Sequence, residues 1–168
     1  MTDRRLLLLR HAQAVDIAPG LRDHERPLTD HGIEQAISVG RALRARGVSI
    51  DHVLCSSAVR TRQTWKALSL DADIEYSDGV YNAGSESLLE LIHCFDRTVQ
   101  SAMIIGHGPG LPRLAAELAG AGSDQHALDV INNHYPVATV CEYEAEAPWA
   151  ELSSARLCWV RIGAQNGV

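Results

Sequence analysis

Three short apolar runs, each leading into polar residues, constrain the fold of this chain more than any other feature. They occupy residues 6–9, 53–55 and 102–105. Continuous runs of this length are typical of strands that are buried on both faces, as in a parallel sheet. The first run is only four residues long and is followed by Arg10, so it is too short for the apolar region of a signal peptide. No apolar stretch reaches the 18 residues of a membrane span.

Helical patterns separate the three runs and predict an alternating α/β chain. Thr29 begins the first helix as an N-cap and Gly47 ends it. The other predicted helices begin at Ser56–Ser57, at Ser85 and after Gly110, with residues 12–28 as a long loop and 123–136 as irregular chain. Residues 138–143 alternate like a half-exposed strand, with 157–162 as an antiparallel partner. The pattern predicts a three-layer α/β/α sandwich with a mostly parallel central sheet.

Length and charge narrow the class of protein further. A chain of 168 residues predicts a single compact domain, residues 1–168. The net charge of −6 disfavours a nucleic-acid binder, which usually carries a basic face. Without a signal peptide or span, we expect a cytoplasmic protein that binds no membrane. No long exposed apolar stripe stands out, so we expect a monomer.

Residues able to carry positive charge follow each apolar run. Arg10 and His11 follow the first, Arg60 lies just beyond the second, and His107 follows the third. Because the carboxyl ends of parallel strands meet at one edge of a sheet, we expect these side chains to converge. Arginine forks match phosphate oxygens, and a neutral imidazole can attack phosphorus. The set predicts metal-independent phosphoryl transfer through a phosphohistidine, and no Asp/His cluster has the spacing of metal ligands.

Four motifs in this order and spacing resemble those of the histidine phosphatase (phosphoglycerate-mutase-like) superfamily. They are the R-H-A segment at 10–12, S-S-A-V-R-T-R-Q-T at 56–64, G-H-G-P at 106–109 and R-P-L-T-D-H-G at 26–32. The last is similar to the helix start of the SixA-type phosphohistidine phosphatases. The resemblance covers roughly residues 5–163 and implies a phosphoglycerate-mutase-like fold with no cofactor.

Carried over by position, the resemblance assigns a role to each converging residue. His11 would be the nucleophile that becomes phosphorylated, Arg10 and Arg60 would grip the phosphoryl oxygens, and His107 would complete the pocket and hold charge in the transition state. The chain is as compact as SixA-type members, without room for large insertions over the pocket.

One departure bears on the substrate. Many relatives that cleave phosphate esters place a glutamate acid where this chain has Asn82. Asn82 would contact substrate but cannot protonate an alkoxide, and Glu86, Asp23 and Glu25 are the other candidates for an acid. Phosphohistidine needs less help because its leaving imidazole can already be protonated. The favoured substrate is therefore a phosphohistidine on a partner protein, such as a phosphotransfer domain or phosphocarrier.

Two alternatives remain open at this point. The chain could be a phosphomonoesterase for a small phosphorylated substrate, with Glu86 as a working acid, or a non-catalytic module that binds phosphate or a partner. Arg22 and Arg26 on the long loop could touch substrate, although Arg26, which precedes Pro27, better suits an ion pair that anchors the loop.

Overall fold

Six strands form one sheet in the computed structural model, which describes residues 3–164. The strands are β1 (Arg4–Arg10), β2 (His52–Ser56), β3 (Asp73–Ser77), β4 (Ser101–Gly106), β5 (Thr139–Ala145) and β6 (Arg156–Ile162). Their order in the sheet is β3-β2-β4-β1-β5-β6. The first four strands of that order are mutually parallel, whereas β5 pairs antiparallel with both β1 and β6. The prediction of a mostly parallel sheet is confirmed.

Within residues 3–164, five α-helices cover the two faces of the sheet and complete the predicted α/β/α layers. They are α1 (Asp30–Ala45), α2 (Val59–Leu68), α3 (Ser85–His93), α4 (Gly110–Leu118) and α5 (Gln125–Asn133). Helices α1 and α2 pack together on one face, and α3, α4 and α5 pack on the other. Within residues 3–164, no helix is both long enough and apolar enough to cross a membrane.

Strand β1 shows why its apolar run is continuous. Alternate side chains of a strand point to opposite faces, and both faces of this sheet are covered by helices. Leu6 and Leu8 therefore pack in the core beneath α3–α5, while Leu7 and Leu9 pack in the core beneath α1 and α2. All four leucine side chains are fully buried.

The expectation of irregular chain over 123–136 was wrong, because α5 occupies Gln125–Asn133. Asp124 caps this helix by accepting a hydrogen bond from the Ala127 backbone N–H at 2.8 Å. Only Ala127 and Ile131 of the helix are buried. The signal was present in the sequence, because the apolar residues 127, 128, 130 and 131 follow the Asp124 cap at helical spacing.

Two further expectations need correction. Helix α2 begins at Val59 with Ala58 at its N-cap position, so Ser57 does not cap it. The Ser57 hydroxyl instead donates a hydrogen bond to Asp78 in the loop after β3. Strand β5 is also buried along almost its whole length rather than half-exposed, because it lies between β1 and β6 and under helices.

Candidate active site

The carboxyl edge of the parallel strands brings Arg10, His11, Arg60 and His107 together, as the strand-end argument predicted. Arg10 is the last residue of β1, and His107 directly follows β4. The His11 backbone N–H donates to the Gly106 carbonyl at 3.0 Å, which fixes the two strand ends side by side. Arg60 lies in the first turn of α2, the helix that follows β2.

Three of these residues, Arg10, His11 and Arg60, border a cavity of about 560 Å³. Its walls include Arg10, His11 and Arg60 together with Asp23, Arg26, Tyr81, Asn82 and Gly108. The His107 ring is not part of the wall. It lies next to His11, with the two ring centroids 5.2 Å apart.

The environment of His11 favours a neutral imidazole with one defined free nitrogen. The side chain is only 8% exposed, and its Nδ1 lies 2.7 Å from the Ala12 carbonyl oxygen. A carbonyl only accepts hydrogen bonds, so Nδ1 carries the proton and Nε2 keeps a lone pair. Burial, with smaller contributions from Arg60 and Arg10, lowers the pKa of His11 to about 4, although the hydrogen bond to Ala12 opposes them.

His107 is held by the end of strand β2. Its Nε2 shares a 2.7 Å hydrogen bond with the hydroxyl of Ser56, the last residue of that strand. Burial lowers the pKa of His107 to about 3, with further contributions from His11 and Arg60. The edge of the Tyr81 ring also contacts it, at a centroid distance of 5.5 Å.

Arg10 is oriented by residues that the sequence analysis did not single out. Its Nη1 donates to the Tyr135 carbonyl at 2.8 Å, and the Tyr135 hydroxyl donates to the Leu8 carbonyl at 2.8 Å. Gly108 lies directly against the guanidinium, since a Cβ at that position would be 3.1 Å from Arg10 Cζ. Tyr135 falls in a stretch expected to be irregular, and no sequence pattern links it to Arg10.

Arg60 is buried and tied to the long loop through Asp23. Its Nη1 donates to the Asp23 carbonyl at 2.8 Å, and its Nη2 donates to Asp23 Oδ2 at 3.2 Å. The Tyr81 hydroxyl donates to the same carboxylate oxygen, and Arg26 holds the other one through Nε and Nη2 at 3.0 Å. The hydrogen bond from Tyr81, together with Arg60 and Arg26, lowers the pKa of Asp23 to about 2. At neutral pH this carboxyl has no proton to donate.

The other sequence candidates for an acid lie elsewhere. Glu86, in the first turn of α3, lines a neighbouring groove of about 780 Å³ and is not part of the His11 cavity. Glu25 pairs with Arg22, whose side chain is 81% exposed. Asn82 borders both cavities and adopts a left-handed backbone with φ of 57°.

Arg26 anchors the long loop, as expected from its position before proline. Besides gripping Asp23, its Nη1 donates to the Val15 carbonyl at 2.7 Å. It also lies close enough to His11 to lower the pKa of that residue, so it adds positive potential to the cavity.

Three buried nitrogens around the cavity make no hydrogen bond with any residue in the described part of the chain. They are Nε of Arg10, Nε of Arg60 and Nδ1 of His107. Buried polar atoms of this kind call for an explanation, and guanidinium N–H groups are well matched to phosphate oxygens. Among residues 3–164, no three His, Cys, Asp or Glu side chains are grouped so that they could hold a metal ion.

Comparison with known proteins identifies the family of this chain. The family model described as "Histidine phosphatase superfamily (branch 1)" matches residues 6–80. Among curated proteins, the uncharacterised protein Rv1276c of Mycobacterium tuberculosis is 32% identical over 145 residues, which cover 86% of this chain and 91% of that protein.

Solved structures share the whole fold. The putative phosphohistidine phosphatase SixA from Nakamurella multipartitia has a TM-score of 0.88 and 30% identity, covering 98% of this chain and 99% of its own. The protein of the same description from Agrobacterium tumefaciens has a TM-score of 0.80 and 31% identity, covering 94% and 97%. With these likenesses and the geometry of its site, the chain belongs to the histidine phosphatase superfamily, as a phosphatase of the SixA type.

Proposed function

We propose that this protein removes the phosphoryl group from a phosphohistidine on a partner protein, through a phosphorylated His11 and without a metal ion. The observation that carries the proposal is the state of His11. Its Nδ1 proton is committed to the Ala12 carbonyl and its pKa is about 4, so Nε2 is an unprotonated nucleophile at neutral pH. The same cavity supplies Arg10 and Arg60 for the phosphoryl oxygens.

In the first step, His11 Nε2 forms a bond to phosphorus while the bond from phosphorus to the substrate imidazole breaks. The departing nitrogen takes the bonding electron pair and leaves as neutral imidazole, because its ring is already protonated at the other nitrogen. Arg10 and Arg60 stabilise charge on the transferring oxygens. His107, next to His11, supports the charge that develops on the phosphoryl group.

In the second step, a water oxygen attacks phosphorus and the bond to Nε2 breaks. His11 recovers its lone pair and becomes neutral again. The product is dihydrogen phosphate, which keeps both hydrogens of the water, so the step needs no permanent proton acceptor from the protein.

Phosphohistidine is favoured over a phosphate ester because of what the nearby carboxyl groups can do as acids. Asp23 borders the cavity but is ionised, and Asn82 cannot supply a proton. Glu86 lies in the adjacent groove. A site arranged in this way gives little help to an alkoxide leaving group and suits a leaving group that is already protonated. The two SixA structures described above support the same substrate class.

The test is phosphate release from a histidine-phosphorylated protein and from a panel of small phosphate esters, both with EDTA present. The variant His11→Ala should lose all turnover, while His126→Ala should keep it, because His126 is exposed on α5. An acid-labile phosphoenzyme should accumulate in quenched samples of the native protein only.

Two results would change the conclusion. Good turnover of small esters that His11→Ala abolishes would keep the mechanism and move the substrate to a small molecule. Retained turnover in His11→Ala would contradict the role of His11 as the nucleophile. Oxyanion binding without any turnover would contradict the catalytic proposal and favour a binding module.

A further inference from the structure

Asp23 occupies an unusual position for a carboxylate, because it is bound to the arginines that a phosphoryl group would contact. One of its oxygens is held by Arg26 at 3.0 Å, and the other is held by Arg60 at 3.2 Å and by the Tyr81 hydroxyl. Arg60 also donates to the Asp23 main-chain carbonyl. In the free enzyme, both Nη groups of Arg60 are therefore already bound to one residue of the loop.

The charges on the cavity wall show what this arrangement does. The ionisable wall residues besides His11 and Tyr81 are three arginines and Asp23. His11 and the neighbouring His107 are neutral at pH 7. The cavity therefore carries a net charge of about +2, which matches a phosphoryl dianion, whereas without Asp23 it would carry about +3.

We propose that Asp23 is a specificity-determining residue: an internal counter-anion that competes with the phosphoryl group for Arg60 and Arg26 and so limits the affinity for orthophosphate. The inference rests on the proposed function, since it concerns the same site. Its consequence is that product phosphate leaves readily, because the carboxylate takes back the guanidinium groups as the product departs.

The loop is also held by hydrogen bonds that do not involve the Asp23 carboxylate. The Thr29 hydroxyl donates to Gln13 Oε1 at 2.7 Å, and the Leu28 backbone N–H donates to Gln63 Oε1 at 2.7 Å. Arg26 separately holds the Val15 carbonyl. Replacement of the carboxylate by an amide of the same shape removes its charge. The asparagine oxygen can still accept from Arg60, whereas the amide nitrogen cannot accept the hydrogen bonds that Arg26 donates.

The experiment compares the native protein with Asp23→Asn and a matched control, Glu25→Gln. Glu25 lies on the same short helical turn and loses the same charge, but it pairs with Arg22 rather than with the cavity arginines. Tungstate and orthophosphate affinities are measured by calorimetry at constant ionic strength, and product inhibition is measured in the phosphatase assay.

We expect Asp23→Asn to bind both oxyanions about tenfold more tightly than the native protein. A change of this size is expected when one negative charge is removed a few ångströms from the bound anion. Inhibition by orthophosphate should strengthen by the same factor, and Glu25→Gln should change neither. Asp23→Ala, measured as a second neutral variant, should also bind both oxyanions more tightly than the native protein, because it removes the same competing charge.

Unchanged or weaker oxyanion binding in both neutral variants would overturn the inference and reduce Asp23 to an orienting role for Arg60. That result would leave the proposed function intact as long as the native protein binds oxyanion and turns over. A native protein that neither binds orthophosphate nor hydrolyses phosphohistidine would overturn the proposed function together with the inference.

Discussion

The imidazole rings of His11 and His107 lie with their centroids 5.2 Å apart and their planes tilted by 53°. Both rings are almost completely buried, and burial lowers the pKa of His11 to about 4 and that of His107 to about 3. Two adjacent buried rings cannot both carry charge beside Arg60 without a large energetic cost. The pair is therefore neutral in the folded protein at every pH above about 5.

This neutrality makes stability depend on pH. In the unfolded chain both histidines titrate near 6.5, so between about pH 6.5 and pH 4 the unfolded state binds more protons than the folded state. We expect the contribution of the two histidines to the free energy of unfolding to be at its maximum above pH 6.5. The free energy of unfolding should then fall as the pH is lowered towards 4. Each histidine should contribute a slope of up to about 1.4 kcal/mol per pH unit, measurable by urea unfolding.

The control for this prediction is the double variant His11→Asn, His107→Asn. It should show a shallower decrease of stability over the same pH range, because the two buried groups that must charge on unfolding are gone. An equally steep decrease in the double variant would mean that other groups set the acid sensitivity.

Removal of the Ser56 hydroxyl tests how His107 is positioned. In Ser56→Ala the 2.7 Å hydrogen bond to His107 Nε2 is lost, and the Ala58 backbone N–H loses its acceptor. We expect a fall in kcat of about tenfold and a stability loss of about 1 kcal/mol. Ser56→Thr keeps the hydroxyl and should retain more activity than the alanine variant. Equal kcat values for Ser56→Ala and the native protein would show that His107 needs no such support.

Gly108 sets the position of Arg10 by leaving room for it. An alanine Cβ at this position would lie 3.1 Å from Arg10 Cζ, so the guanidinium would have to shift by a few tenths of an ångström. We expect Gly108→Ala to lower kcat/KM about tenfold with little change in thermal stability, since the residue is only half-buried. Gly84→Ala is the matched control, because no atom lies within 4 Å of a Cβ there. Equal activity of the two variants would contradict the prediction.

Much of the fold followed from local patterns, and the reason is visible in β1. A run such as 6–9 can be buried on both faces only in a covered sheet, so the parallel arrangement and the meeting of Arg10, His11 and His107 at one edge could be deduced. The start of helix α1 could also be predicted from the sequence, because Thr29 is an N-cap residue and its hydroxyl accepts a hydrogen bond from the Gly32 backbone N–H.

The parts that sequence analysis missed depend on contacts between distant residues. Asp23 bonds to Arg60 and Tyr81, which lie 37 and 58 positions away along the chain. Arg10 bonds to the Tyr135 carbonyl, 125 positions away. No periodicity or spacing rule records such pairs. The separation of Glu86 from the cavity has the same origin, since it depends on where the loop before α3 turns.

Arg60 should control the titration of His11, which gives the last prediction. Three guanidiniums, those of Arg60, Arg10 and Arg26, disfavour a proton on His11. In Arg60→Gln one of them is gone while burial remains, so we expect the pKa of His11 to rise above 4 but to stay below 6.5. The measurement is the chemical shift of the His11 ring proton against pH, followed by NMR. Arg62→Gln is the matched control on the same helix, because Arg62 lies over Tyr76 rather than beside His11. An unmoved His11 midpoint in Arg60→Gln would show that burial alone keeps the nucleophile neutral.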